Sequence, residues 1–171
     1  LTYGQLNEQV GRAAAALTEL SVGPGDRVAV ALPNCPQHVV AVTAILRLGA
    51  TVVEHNPLYT AAELEPQFND HGARVAIVFD RVADTFTLLS KSTPLETVVA
   101  VNMLEEVPLH LRAALALPLP RVKNMRAELS QPAPGTLPWR EFVRQRQRTV
   151  HFPRVTQDTP AFILYTSGTS G

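Results

Sequence analysis

The chain has 171 residues, 46% of them apolar, and its 15 basic and 15 acidic side chains cancel to a formal charge of zero. That length suffices for one domain, or one lobe of a larger one, with a real core. No uninterrupted apolar run approaches the roughly 18 residues of a membrane span, and the single cysteine, Cys35, excludes an internal disulfide and favours a reducing compartment.

Thr2-Tyr3-Gly4-Gln5 reads as a capping box. Leu6, Val10, Ala13, Leu17 and Leu20 follow at spacings of four and three, one face of an amphipathic helix. Pro24-Gly25 is a turn signal, and the Val-rich run Arg27–Leu32 between turn residues predicts a buried strand. Pro36–Leu48 is apolar nearly all round, a buried helix stopped by Gly49, and the β-branched run Thr51–His55 is a second strand. Cys35 is expected as a small buried hydrophobe.

Thr60-Ala61-Ala62-Glu63 is a second capping box, opening a helix through Leu64 and Phe68 to about His71, with Gly72 as its C-cap. Arg74–Phe79 is a third strand. Asp80 is expected as a helix N-cap, Val82, Phe86 and Leu89 mark the next helix, and Thr97–Met103 is a fourth strand. The alternation of continuous apolar strands with helices predicts an α/β fold: a parallel sheet flanked by helices on both faces.

The pattern degrades after Met103. Six prolines fall between 108 and 138, so residues 104–150 are expected as an irregular, Pro-rich, basic excursion with a short helix at Leu109–Leu117 and another at Trp139–Gln147. Residues 112–154 carry nine basic and only two acidic side chains, against a net negative remainder. Such asymmetry marks either an anionic surface contact or a solvated helical face. Pro160 then precedes Ala161–Tyr165, a fully apolar strand, so the chain divides into a β/α core (1–103), the excursion (104–150), and a strand plus loop (151–171).

That last strand runs into Thr166-Ser167-Gly168-Thr169-Ser170-Gly171. Glycines without Cβ let backbone amides approach an anion, and four hydroxyls add donors for phosphate oxygens. The loop has neither the Walker A nor the dinucleotide-binding glycine spacing. Taken alone such a hexapeptide is more often a plain flexible loop; placed directly after a buried strand, it reads about equally as a phosphate cradle.

Tyr165-Thr166-Ser167-Gly168-Thr169-Ser170-Gly171 resembles the phosphate-binding signature of the adenylate-forming superfamily, Y-T-S-G-T-T-G, with Ser170 keeping the hydroxyl of the usual Thr. Leu1-Thr2-Tyr3-Gly4-Gln5-Leu6 is similar to the family's L-T-Y-x-E-L. Gly49-Ala50, followed by Asn56-Pro57-Leu58-Tyr59-Thr60, Glu63-Leu64 and Asn69-Asp70-His71-Gly72-Ala73, most resembles bacterial long-chain fatty-acid–CoA ligases. The resemblance covers 1–103 and 157–171 and is loose between them.

The resemblance implies the truncated N-terminal lobe of an enzyme that joins a fatty acid to ATP as an acyl-adenylate and passes the acyl group to CoA. Thr166, Ser167, Gly168, Thr169, Ser170 and Gly171 are the implied ATP-phosphate-binding residues. It places the Mg²⁺-binding Glu, the ribose-binding Asp and the catalytic Lys after residue 171, so no catalytic or metal-ligating residue is assigned here and this chain by itself is expected to be inactive. The implied partners are fatty acid, ATP and CoA. No nucleic-acid ligand is expected. Residues 109–126 are the candidate for peripheral membrane contact, in a protein otherwise expected to be cytoplasmic. A sheet missing later strands is expected to self-associate. Another adenylate-forming enzyme, acting on aryl acids or as a peptide-synthetase adenylation domain, and a self-standing phosphate-binding module are the alternatives. His38, His55, His71, His110 and His151 lack metal-ligand spacing. His55, at the end of a strand, is expected in a capping or interface role.

Overall fold

The computed structural model describes residues 2–108, 110, 111, 115, 119–144 and 150–166. Helix α1 spans Tyr3–Glu19 and opens as the capping box predicts, with the Thr2 amide donating to Gln5 Oε1 at 2.8 Å and the Gln5 amide to Thr2 Oγ1 at 3.3 Å. Three of its five buried residues, Val10, Ala13, Ala14, Ala15 and Leu17, are alanine, which lets it lie close against α2 (Pro36–Arg47).

Strands β1 (Arg27–Ala31), β2 (Thr51–Glu54), β3 (Val75–Phe79), β4 (Thr97–Val101), β5 (Leu137–Pro138) and β6 (Phe162–Leu164) form one sheet in the order β5-β4-β3-β1-β2-β6. Every pairing is parallel. Period-two alternation splits the core in two. Val28, Val30, Val52, Ile77, Val99 and Val101 face α1 and α2. Ala29, Ala31, Ala76, Val78, Val98 and Ala100 face α3 (Ala61–His71) and α4 (Ala83–Leu89). The chain steps from β1 to β2 in one direction and then back across β1 to β3. Right-handed crossovers therefore set α2 and α3 on opposite faces, which is why the strands read as continuous apolar runs.

Four expectations change. The fourth strand stops at Val101, because Asn102 Oδ1 accepts the Leu104 amide at 2.8 Å and turns the backbone into a 3₁₀ turn over Met103–Glu106. Asp80 does not cap α4. It lies in the 3₁₀ turn Asp80–Val82 with its side chain buried, accepting the Ser130 hydroxyl at 2.6 Å, and Val82 is the N-cap. Cys35 is half-buried at the N-cap of α2. Strand β6 is not fully covered: as the described edge of the sheet it leaves Phe162 and Leu164 exposed.

The excursion is more ordered than its prolines suggest. Helix α5 (Pro120–Leu129) starts with Pro120 in its first turn, where a missing N–H costs nothing. Lys123 and Arg126 face solvent, while Val122 and Leu129 are partly covered. β5 then pairs with β4, Val99 opposite Leu137, and places α6 (Trp139–Phe142) so that both its aromatics are buried against the α1/α2 face. The helix expected over 109–117 and the end of the one expected over 139–147 lie mostly outside the described residues. No described helix is long and apolar enough to cross a membrane.

Candidate functional site

The register Val53 opposite Ile163 and Glu54 opposite Leu164 brings His55 and Tyr165 side by side as the chain leaves β2 and β6. Two residues beyond Val53 and Ile163, both point to the α3 face. Their rings lie 6.0 Å apart and 11° from parallel.

Helix α3 completes the cluster. After β2, Asn56 turns the chain by accepting the Leu58 amide on its side chain at 2.9 Å and the Tyr59 amide on its carbonyl at 3.1 Å. Thr60 then opens the helix, its amide donating to Glu63 Oε2 at 2.8 Å. Those bonds to Thr60 also hold the Glu63 carboxyl below its ordinary pKa. The Asn-Pro-Leu-Tyr-Thr segment is therefore the joint that sets the direction of α3. Leu64, Phe68 and His71, four and three residues apart, form the buried stripe.

His55 stacks on Phe68 with centroids 5.1 Å apart and 16° between planes. Its Nδ1 is 2.9 Å from Gln67 Oε1, and its Nε2 is 3.1 Å from His71 Nε2. The Ala73 amide donates to His71 Nδ1 at 3.0 Å. These contacts allow one proton arrangement. Because His71 Nδ1 accepts, its Nε2 carries hydrogen and donates to His55 Nε2. His55 Nδ1 then carries hydrogen and donates to Gln67. A divalent metal between the two Nε2 atoms would displace the proton that this arrangement places there.

Both imidazoles are therefore neutral. Burial pulls His55 down to about 4, partly opposed by its bond to Gln67. Burial likewise pulls His71 down to about 4, helped by the proximity of His55 and Arg27 and opposed by Asp70. Arg27, at the start of β1, donates to the His71 carbonyl at 3.3 Å. On the outer side, the Tyr165 hydroxyl donates to Asp70 Oδ2 at 2.5 Å. Burial first, then that bond and the Asp70 charge, push the phenol up to about 12, so Tyr165 remains a donor. A second histidine at the same strand end, His38 of α2, sets its Nε2 2.9 Å from Glu54 Oε1.

Thr166 is exposed and follows Tyr165 directly. Ser167, Gly168, Thr169, Ser170 and Gly171 lie outside the described residues. The expectation of an interface or capping role for His55 is met in kind, since it joins β2, α3 and the residue after β6. Gln67, Asp70 and His71 were not singled out as site residues from the sequence, although the stripe Leu64, Phe68, His71 carried the signal for the last. Among the described residues no three His, Cys, Asp or Glu side chains converge as a metal ligand set. A cavity of about 660 Å³ is lined by Arg12, Glu105 and Arg140 among others. It lies near β5 and α6, at the opposite edge of the sheet from Tyr165.

A parallel sheet that winds both ways from β1, with helices on both faces, defines the doubly wound α/β class. The chain belongs to the AMP-binding enzyme family, whose model matches residues 1–171. It is 32% identical over 174 residues to a long-chain-fatty-acid–CoA ligase of Salmonella typhimurium, covering 100% of this chain and 30% of that protein. It is 33% identical to an acetyl-coenzyme A synthetase of Streptomyces avermitilis, covering 100% of this chain and 24% of that protein. The fold matches that of an anthranilate CoA ligase solved with anthranoyl-AMP, at a TM-score of 0.77 and 22% identity, over 100% of this chain and 28% of the other. The chain thus spans about a third or less of the length of these relatives.

Proposed function

We propose that this chain is the N-terminal part of an ATP-dependent acid–thiol ligase of the AMP-forming type, acting on long-chain fatty acids. The carrying observation is full-length similarity of the chain to a long-chain-fatty-acid–CoA ligase, together with the strand-to-loop junction at Leu164–Thr166. In this reading a fatty-acid carboxylate oxygen attacks the α-phosphorus of ATP, pyrophosphate leaves, and the acyl-adenylate then gives its acyl group to the CoA thiol. Thr166, Ser167, Gly168, Thr169, Ser170 and Gly171 hold the β- and γ-phosphates, through hydroxyls and backbone amides. Their contribution is positioning and the stabilisation of charge on the departing pyrophosphate. No ligand set for Mg²⁺ is found among the described residues, so no step is assigned to it.

The acid is the finer part of the reading. The match to an acetyl-coenzyme A synthetase at 33% identity keeps short acids as a second reading. The test is ATP- and CoA-dependent thioester formation by the product of the uninterrupted gene, with palmitate, acetate and an aryl acid in parallel, beside the 171-residue chain. Palmitoyl-CoA from the longer product alone supports the proposal. Turnover of acetate or the aryl acid instead moves the acid class and leaves the ligase reading intact. Turnover by the short chain overturns the placement of the catalytic groups after residue 171.

A further inference from the structure

The connection between α3 and Tyr165 is built from parts that the proposed chemistry does not use. Tyr165 is the last described residue but one and the root of the proposed phosphate loop. Its ring lies against His55 and its hydroxyl is held by Asp70. His55 is held by Gln67 and His71, and His71 by the Ala73 amide. Four of these groups, Gln67, Asp70, His71 and Ala73, sit on α3 or just past its end. His55 is 5% and His71 2% exposed, so each ring nitrogen left without its partner would be orphaned in the interior.

We propose that the directional hydrogen-bond chain Ala73–His71–His55–Gln67 locks α3 against the end of β2, and that the ring and hydroxyl of Tyr165, held between His55 and Asp70, make His71 and His55 positioning residues for the phosphate loop. The inference rests on the phosphate-binding reading of residues 166–171. The alternation of the strands puts His55 and Tyr165 on one face whatever the side chain. What the histidines add is direction. The helix end offers an N–H donor, and Gln67 one turn back offers an acceptor, so the two rings must both be neutral and in one tautomer each. The charged and titratable groups facing the pair are Arg27 from β1, Asp70 from α3 and Tyr165 beyond β6. Arg27 opposes a second positive charge at His71, and Asp70 is engaged by the phenol. The clamp is thus set in its neutral form across the range in which an isolated histidine titrates.

The experiment measures calorimetric Kd values for ATP and AMP on the full-length gene product. AMP lacks the phosphates that the loop is proposed to hold, so it reports on the rest of the site. His71→Phe keeps a ring of similar volume but removes the donor to His55 and the acceptor for Ala73. The expected result is ATP affinity weakened about fivefold or more with AMP affinity within about twofold of the parent. His71→Gln, whose amide offers both a donor and an acceptor, should recover ATP affinity. Asp70→Asn and Tyr165→Phe, at less buried positions, test the outer contact if His71→Phe fails to fold, and each should weaken ATP selectively. Thr169→Ala tests the underlying reading. If Thr169→Ala weakens ATP while the His71, Asp70 and Tyr165 variants do not, or weaken ATP and AMP alike, the positioning inference is overturned and the loop reading stands. If Thr169→Ala leaves ATP affinity unchanged, the loop reading falls and the inference with it.

Discussion

His55 Nε2 lies 3.1 Å from His71 Nε2, and the Ala73 amide, 3.0 Å from the far nitrogen of His71, decides which of the two carries the proton. A second proton on this pair would set two N–H groups against each other in a buried site. Both pKa values are lowered to about 4, chiefly by burial. An unfolded histidine binds its proton near pH 6.5. Between these values the unfolded chain holds more protons than the folded one, so folding stability falls as pH drops from about 6.5 to about 4. One pKa unit is about 1.4 kcal/mol, so each histidine can remove roughly 3 kcal/mol over that window, and the pair about twice that. Urea unfolding at successive pH values should show the decline, and His55→Phe/His71→Phe should flatten much of it. In proton-resonance titrations both rings should stay neutral at pH 6. Ordinary titration near pH 6.5 would refute the single proton arrangement.

Phe68 ties packing to that protonation. Fully buried, it stacks on His55 and meets Phe86 edge-on with centroids 5.8 Å apart. Phe68→Ala should cost about 3–5 kcal/mol through lost burial and the cavity left behind. It should also admit water beside His55 and raise its pKa from about 4 toward the ordinary value, because burial is the largest cause of the lowering. A variant that loses stability while His55 stays near 4 would show that hydrogen bonding, not desolvation, holds the proton off.

Much of this architecture was legible. Thr2/Gln5 and Thr60/Glu63 announced two helices because a capping box is a local code, complete within four residues. Gly72 at φ 64° ends α3 for the same local reason. The Val-rich runs marked four of the six strands, and the apolar run Ala161–Tyr165 a fifth, because a parallel strand in such a sheet carries apolar residues on both faces. Helix α5 was hidden: a solvated helix shows no apolar period, and its entry is a proline that looks like a breaker. β5 is two residues long and contains Pro138, tolerable only at a sheet edge. At the site, Tyr165–Gly171 was read from its residues, but the His55–His71 contact spans sixteen positions and joins a strand end to a helix end. No spacing rule predicts such a meeting without the packing of α3 on the sheet, and Tyr165 joins it only through the register of β2 on β6.

Two glycines should respond to alanine with opposite signs. Gly49 has φ +68°, and a Cβ built there meets Pro153 Cγ at 3.2 Å with Pro24 behind it. Gly49→Ala should cost about 1–2 kcal/mol from backbone strain and crowding. Gly11 lies inside α1 at a helical φ, and its Cβ meets nothing within 4 Å. Gly11→Ala should stabilise by about 0.5–1 kcal/mol, since the helix conformation is retained and the unfolded chain loses freedom. Denaturant midpoints of the two variants beside the parent decide it, and a stabilised Gly49→Ala would contradict the position of Pro153.

Asp80 gives the reverse pH dependence from the histidines. Its carboxyl is buried at the end of β3, where burial raises its pKa against the lowering effect of bonds from Ser130, Gln131 and Arg81. Oδ2 accepts the Ser130 hydroxyl at 2.6 Å. A carboxyl whose folded pKa is raised favours the fold most when protonated. Its contribution is full below the unfolded pKa and is lost as pH rises through the folded value. At neutral pH the ionised group therefore works against the fold, even as it fastens the end of α5 to β3. Asp80→Asn keeps an acceptor for Ser130 and removes the charge, so it should raise Tm by a few degrees at pH 7, with a smaller gain at pH 4. Asp80→Ala removes the acceptor too and should lower Tm at both pH values, because the Ser130 tether goes with it. Equal shifts for the two variants at pH 7 would mean that the charge, and not the bond to Ser130, governs this junction.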